Sequence, residues 1–180
     1  MANTSSGRPG FVVWLTGLPC SGKSTISGWL SKAILETSRN VEILDGDIVR
    51  TNLTQGLGFD KDDRDRNVRR VGFVANLLSR NGTAVICAVV SPYRNIRDEL
   101  RADVTNLIEV FVDTPAEICA QRDVKGMWAK AKAGELKNFT GYDDPYEAPK
   151  TPHVHIKTQE ETVDQSGQKV LDYLLSQGWL

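Results

Sequence analysis

Apolar residues along this chain come in two textures that alternate. Short, nearly unbroken runs, Phe11-Val-Val-Trp-Leu15, Val41-Glu-Ile-Leu-Asp45, Thr83-Ala-Val-Ile-Cys-Ala-Val-Val90 and Leu107-Ile-Glu-Val-Phe-Val112, read as buried strands. Between them apolar residues recur every three or four positions, at Ile26, Trp29, Leu30, Ala33 and Ile34 and again at Val68, Val71, Ala75 and Leu78, the spacing of a helix with one covered face. The acidic residues of Asp60-Lys-Asp-Asp-Arg-Asp-Arg66 suit the positive N-terminal end of the second of these helices. Further helices are predicted from Asn95 to Ala102 and from Pro115. A short strand follows at His153-Val-His-Ile-Lys157, then a last helix with Val163, Val170, Leu171, Leu174 and Leu175 on one face. Strands alternating with helices imply crossover connections, so the expectation is an α/β fold of three layers, a five-stranded parallel sheet wrapped on both faces.

One segment escapes the pattern. From Asp123 to Pro152 periodicity gives way to Gly126, Gly134, Gly141, Pro145, Pro149 and Pro152 among many lysines and acids. It also carries Met127, Trp128, Phe139, Tyr142 and Tyr146, too many large side chains for a passive linker, so residues 123–152 are read as a lid. Residues 1–9 are polar and read as a flexible leader, and 1–180 as a single domain.

The first strand and first helix are joined by Gly17-Leu18-Pro19-Cys20-Ser21-Gly22-Lys23-Ser24-Thr25, which has the spacing of a P-loop. Its glycines permit a tight turn whose backbone N–H groups surround a phosphate chain, and the helix N-terminus adds positive potential. Lys23 is then placed to reach the terminal phosphates and the Ser24 hydroxyl to ligate Mg²⁺. Cys20 inside this loop reads as a small residue the turn accommodates, or as a thiol open to redox chemistry. The second strand ends in Asp45-Gly46-Asp47, two carboxylates at the strand end where parallel sheets bind ligands.

Bulk properties narrow the partners. The 180 residues are 40% hydrophobic with net charge −1 and dispersed basic residues, which gives no footprint for nucleic acid or membrane. Three widely spaced cysteines, Cys20, Cys87 and Cys119, fit a reducing, cytoplasmic setting. No Asn-Lys-X-Asp segment reads guanine, and the chain is short for a motor or transporter ATPase. What fits is a P-loop kinase that moves the terminal phosphoryl of ATP to a small acceptor. Asp47 and Asp45 would orient or deprotonate the acceptor hydroxyl, and Lys23 with lid lysines would cover the transferring group. Asp47 also admits a plainer reading as the cap of a helix beginning near Ile48. His153 and His155 alternate along a strand and should share a face, but no further ligand stands at matching spacing for a metal site.

Six motifs then converge. The P-loop, Asp45-Gly-Asp47 with Arg50, Leu57-Gly-Phe59, Asp63-Arg64 with Asn67 and Arg69-Arg70, Ser91-Pro-Tyr-Arg94, and Lys137-Asn-Phe-Thr-Gly-Tyr-Asp-Asp-Pro-Tyr146 together resemble the adenylyl-sulfate kinases, in that family's order from first strand to last helix. The resemblance implies transfer of the γ-phosphoryl of MgATP to the 3′-hydroxyl of adenosine 5′-phosphosulfate, and a homodimer. It implies that Arg50, Arg64 and Asn67 hold the phosphosulfate, that Phe59 and Phe139 sandwich its adenine, and that Lys137 sets a cation at the mouth of the same pocket. Ser91 matches the position assigned to a phosphoserine intermediate, although a Ser-Pro at a strand end is often only a turn. The residue types suit these tasks, since guanidinium groups pair with tetrahedral oxyanions and aromatic faces stack a base. The chain departs from the family's usual Asn after Asp-Gly-Asp, with Ile48, and from Phe-Ile before Ser-Pro-Tyr, with Val89-Val90. Runner-up readings are a kinase for another small acceptor and a regulatory module that binds nucleotide without turnover.

Overall fold

The computed structural model describes residues 8–180; residues 1–7 of the expected leader lie outside the described residues. Five parallel strands stand in the order β2-β3-β1-β4-β5: β1 Phe11–Thr16, β2 Val41–Asp45, β3 Ala84–Ala88, β4 Leu107–Asp113 and β5 Val154–Lys157. Between and after them run α1 Lys23–Leu35, α2 Gly46–Thr51, α3 Lys61–Ser79, α4 Arg94–Asp103, α5 Ala116–Arg122, α6 Met127–Lys132 and α7 Val163–Ser176.

The pleat of β1 explains the layering. Phe11, Val13 and Leu15 point into a core shared with Ile26, Leu30 and Ile34 of α1 and Val170 and Leu174 of α7. Val12 and Trp14 point the other way, onto Val68, Val71 and Ala75 of α3 and Ile96 and Leu100 of α4. A strand covered on both faces has no polar side to present, which is why its sequence reads as an unbroken apolar run.

Ends differ where caps decide. Asp60 caps α3 by accepting from the Asp63 N–H at 2.8 Å, so the acidic run forms the cap and first turn, as its charges suggest. Pro115 is the residue before α5 and not its first. On α7 the covered stripe is Ser166, Gly167, Val170 and Leu174, while Val163 and Leu175 face solvent. The small pair is covered because the Trp29 ring lies against Gly167, a contact invisible to a count of apolar residues. His153 and His155 do not share a face: His155 stacks on Phe111, whereas His153, just outside β5, packs against Tyr173 of α7. Residues 123–152 hold one short helix, α6, and a third apolar cluster in which Trp128, Ala131 and Phe139 close over Cys119. Pro9, the last residue of the expected leader, is tied down by accepting from Arg39, and Gly10 beside it accepts from Asn106.

Candidate active site

The C-terminal ends of β1, β2 and β3 open onto a cavity of about 1000 Å³, lined by the P-loop, the Asp45–Ile48 turn, Phe59, Arg64, Ser91, Lys125 and Phe139 among others. Gly17 begins the loop with φ +156°, and a Cβ there would sit 2.4 Å from the Val112 carbonyl oxygen, so β4 pins the loop's root. Cys20 holds the left-handed turn at φ +66°, and Gly22 precedes α1 with φ +106°. The Lys23 ammonium folds back onto the loop, donating to the carbonyls of Gly17 at 2.9 Å and Leu18 at 2.7 Å. It is buried, and that desolvation lowers its pKa to about 8.

β3 separates β2 from β1, yet Asp45 still reaches the P-loop, at Ser24 in the first turn of α1. Asp45 Oδ2 accepts from the Ser24 hydroxyl at 2.6 Å and Oδ1 from the Asp47 N–H at 3.0 Å. Asp45, not Asp47, therefore caps α2, which starts at Gly46 and not near Ile48. Asp47 is left with an exposed carboxylate that pairs with Lys125.

The far half of the cavity is built around two guanidinium groups. Arg50 lies over the Phe59 ring at 4.3 Å and donates to the Gly58 carbonyl at 3.2 Å. Burial and the nearby Arg64 charge press its pKa down, the mark of a cationic pocket that favours an anion. Arg64 is nearly buried and ties both aromatic segments together, through the carbonyls of Phe59 and Asn138 and the hydroxyl of Thr140. Asn67, also buried, accepts from Thr54 at 2.7 Å. Phe139 is 4% exposed and meets Trp128 edge-on at 5.0 Å, while Phe59 on the opposite segment is 42% exposed. Asp143 fixes the turn before Phe139 by accepting from the N–H groups of Asn138 and Phe139, bonds that hold its carboxyl below the usual range.

Ser91 is 1% exposed with φ +41°. Its hydroxyl accepts from the Trp14 indole and donates to Thr16, each at 3.0 Å. Lys137 is exposed and stands outside the cavity lining; besides Lys23 of the phosphate loop, the lysine that lines it is Lys125 of segment 123–152. The sequence points to lid lysines as a group without choosing Lys125 among them, since an unperiodic segment carries no signal for which lysine turns inward. For the same reason Trp128 and Thr140 do not stand out, and the buried Arg97 does not because its partners on β4 and in the 144–148 stretch are brought to it only by tertiary contact.

A parallel sheet with this loop, a carboxylate opposite it and a cationic, aromatic acceptor half defines a P-loop kinase for a small molecule. Residues 9–157 match the family model described as adenylylsulphate kinase, and the chain belongs to that family. It is 53% identical over 173 residues to an adenylyl-sulfate kinase of Rippkaea orientalis, covering 96% of each chain. Among solved structures it superposes on the Mycobacterium tuberculosis APS kinase in complex with AMPPNP and APS with TM-score 0.89, 40% identity and coverage of 93% and 99%. A hexameric APS kinase from Thiobacillus denitrificans is 37% identical with TM-score 0.74, matching 96% of this chain and 30% of that one.

Proposed function

We propose that this chain transfers the γ-phosphoryl group of MgATP to the 3′-hydroxyl of adenosine 5′-phosphosulfate, yielding 3′-phosphoadenylyl sulfate and ADP. One observation carries the reading: a single cavity is lined by the phosphate loop and by the Arg50, Phe59, Arg64 and Phe139 group, with Asp47 and Lys125 paired in the same lining. Both relatives' names and the ligands in the M. tuberculosis complex point the same way.

In this reading Lys23 exchanges its carbonyl partners for phosphate oxygens. Asp47 accepts a hydrogen bond from the acceptor hydroxyl and orients it for in-line attack, and Lys125 moves from Asp47 toward the transferring group. Arg50, Arg64 and Asn67 face the phosphosulfate, and Phe59 and Phe139 flank the base. Ser91 supports the wall by its hydrogen bonds, with direct transfer and no covalent intermediate. Mg²⁺ fits the hard oxygens of Ser24 and Asp45, which lie within hydrogen-bond distance of each other, and phosphate oxygens and water would complete its shell. When bound with ATP it neutralises charge on the phosphates. Segment 123–152 acts as the lid.

Cytoplasmic action belongs to the same proposal, supported by three free cysteines and by the lack of any helix, among the described residues, long and apolar enough to cross a membrane. A homodimer does too, and light scattering separates it from the hexamer described for the T. denitrificans protein. The test of function is ADP release with MgATP and a panel of acceptors: adenosine 5′-phosphosulfate, AMP, other nucleoside monophosphates and none. Turnover confined to the phosphosulfate, with phosphate on its 3′-oxygen, is the expected result; turnover with another acceptor, or none at all, overturns it.

A further inference from the structure

Arg97 on α4 is 2% exposed and is among the largest side chains wholly inside the molecule. Its Nε donates to Glu109 of β4 at 3.0 Å, one terminal nitrogen donates to the Ser91 carbonyl at 2.6 Å, and the other donates to the Glu147 carbonyl. Its guanidinium also lies over the Tyr146 ring, 5.6 Å from the centroid. Glu109 is shared with Arg101, making an ionic triad in which Arg97 and Glu109 are buried and Arg101 is partly exposed.

Stability alone does not call for such a group, because buried ion pairs are commonly replaced by apolar residues without loss. What an apolar residue cannot do is hold two carbonyls at once in fixed directions. One of them belongs to Ser91, a cavity-lining residue held in the left-handed region. The other belongs to a strap that continues from the Phe139 turn: Asp144 accepts from Tyr93, the Glu147 N–H donates to the Pro92 carbonyl at 2.8 Å, and Tyr146 bonds Thr16 at 2.9 Å. The same guanidinium thus sets the Ser91 wall and the end of the segment that carries Phe139. The phosphate loop has its own anchors, since Ser21 accepts from Thr114 and Thr158, each at 3.1 Å.

We propose that Arg97 is a positioning residue for the acceptor half of the site, fixing the Ser91 turn and the 144–148 strap against each other so that Phe139 and its partners meet the acceptor in register. The inference rests on the proposed acceptor reading for its kinetic part only. Arg97→Met leaves Glu109 paired with Arg101, and Arg97→Lys keeps the charge but cannot reach all three partners.

For Arg97→Met, kcat/KM for adenosine 5′-phosphosulfate is expected to fall roughly tenfold to a hundredfold, the scale of small displacements in a reacting geometry. The KM for ATP should stay unchanged, and Arg97→Lys should fall between. Hydrogen exchange on the free protein is expected to rise at the amides of residues 138–148 and to stay unchanged along β1. If Arg97→Met does not fold, Arg97→Lys carries both measurements. Unchanged exchange at 138–148 in a folded variant overturns the proposal, as does a parallel loss in both substrates' KM with exchange raised across the sheet. If the wild-type chain does not phosphorylate the phosphosulfate, the functional reading fails, and the exchange pattern still decides the role of Arg97.

Discussion

Lys125 and Asp47, 78 positions apart in the chain, are ion-paired within the lining of one cavity. Both are half exposed or more, so the pair contributes little to stability, and its meaning is proximity. The carboxylate proposed to orient the acceptor is already beside the cation proposed to cover the transferring phosphoryl. Asp47→Ala is expected to lower kcat by about 10²- to 10⁴-fold with ATP binding nearly intact, because Asp45 and Ser24 keep their own bond. Steady-state kinetics with a nucleotide-binding titration checks this; unchanged turnover removes Asp47 from the mechanism.

The two phenylalanines should separate on mutation. Phe59 is half exposed, so Phe59→Ala is expected to weaken adenosine 5′-phosphosulfate binding by about 1–3 kcal/mol with little change in Tm. Phe139 is part of the cluster with Trp128 and Cys119, so Phe139→Ala should weaken binding similarly and also cost about 3–5 kcal/mol of stability. Calorimetric titration beside thermal melts reads both.

Ser91→Ala tests direct transfer. Removing the hydroxyl leaves the Trp14 indole N–H buried without its partner, a loss of about 1–3 kcal/mol in stability. Turnover is nevertheless expected to persist within about an order of magnitude of wild type. A phosphoserine at position 91 after incubation with MgATP, detected by mass spectrometry, would instead establish a covalent step.

Lys23 predicts a pH dependence. Its pKa is about 8 in the free protein and 10.5 when exposed. The unfolded chain therefore binds more protons between these values, so burial of Lys23 penalises the fold at neutral pH and the penalty is relieved as pH rises from about 8 to 10.5. Bound phosphate favours the charged amine, so above pH 8 nucleotide binding must take up a proton. Affinity for an ATP analogue is expected to fall as pH rises through about 8, by up to about tenfold per unit, with proton uptake visible as a buffer-dependent binding enthalpy. A flat profile between about pH 7 and about pH 9.5 removes Lys23 as the titrating group.

Gly141, within segment 123–152, marks a tight fit against the phosphate loop. At φ +93°, an added Cβ would lie 2.7 Å from Leu18 and 2.9 Å from Trp128. Gly141→Ala is expected to destabilise the protein and to raise the KM for ATP, since Leu18 belongs to the phosphate loop; thermal melts and kinetics check the two effects together.

Contiguous features were legible in the sequence. The P-loop reads directly because its chemistry lies in consecutive backbone N–H groups, and Asp45 and Asp47 stand out because a strand's end announces itself. β1 was plain from its unbroken run, and α3 from its acidic start. What lay hidden was set by tertiary contact: α2 is too short to show a period, Asp45 took the capping role weighed for Asp47, and Gly167 is covered only because Trp29 lies on it. Between Lys137 and Lys125 no spacing rule chooses, since the path of an irregular segment is fixed by where Trp128 and Phe139 bury themselves.

Trp128 ties the phosphate loop to Phe139, its indole donating to the Pro19 carbonyl at 3.3 Å and its ring meeting Phe139 in a T-shaped contact. A redesign that enlarges the acceptor pocket from the Phe139 side would loosen the phosphate loop with it, coupling any new acceptor range to a poorer grip on ATP. The Phe59 side hangs from the separate α2–α3 connection, and substitutions there leave that brace alone. Variation in acceptor preference among such kinases should therefore collect on one bank of the cavity, with the other held back by its service to the nucleotide.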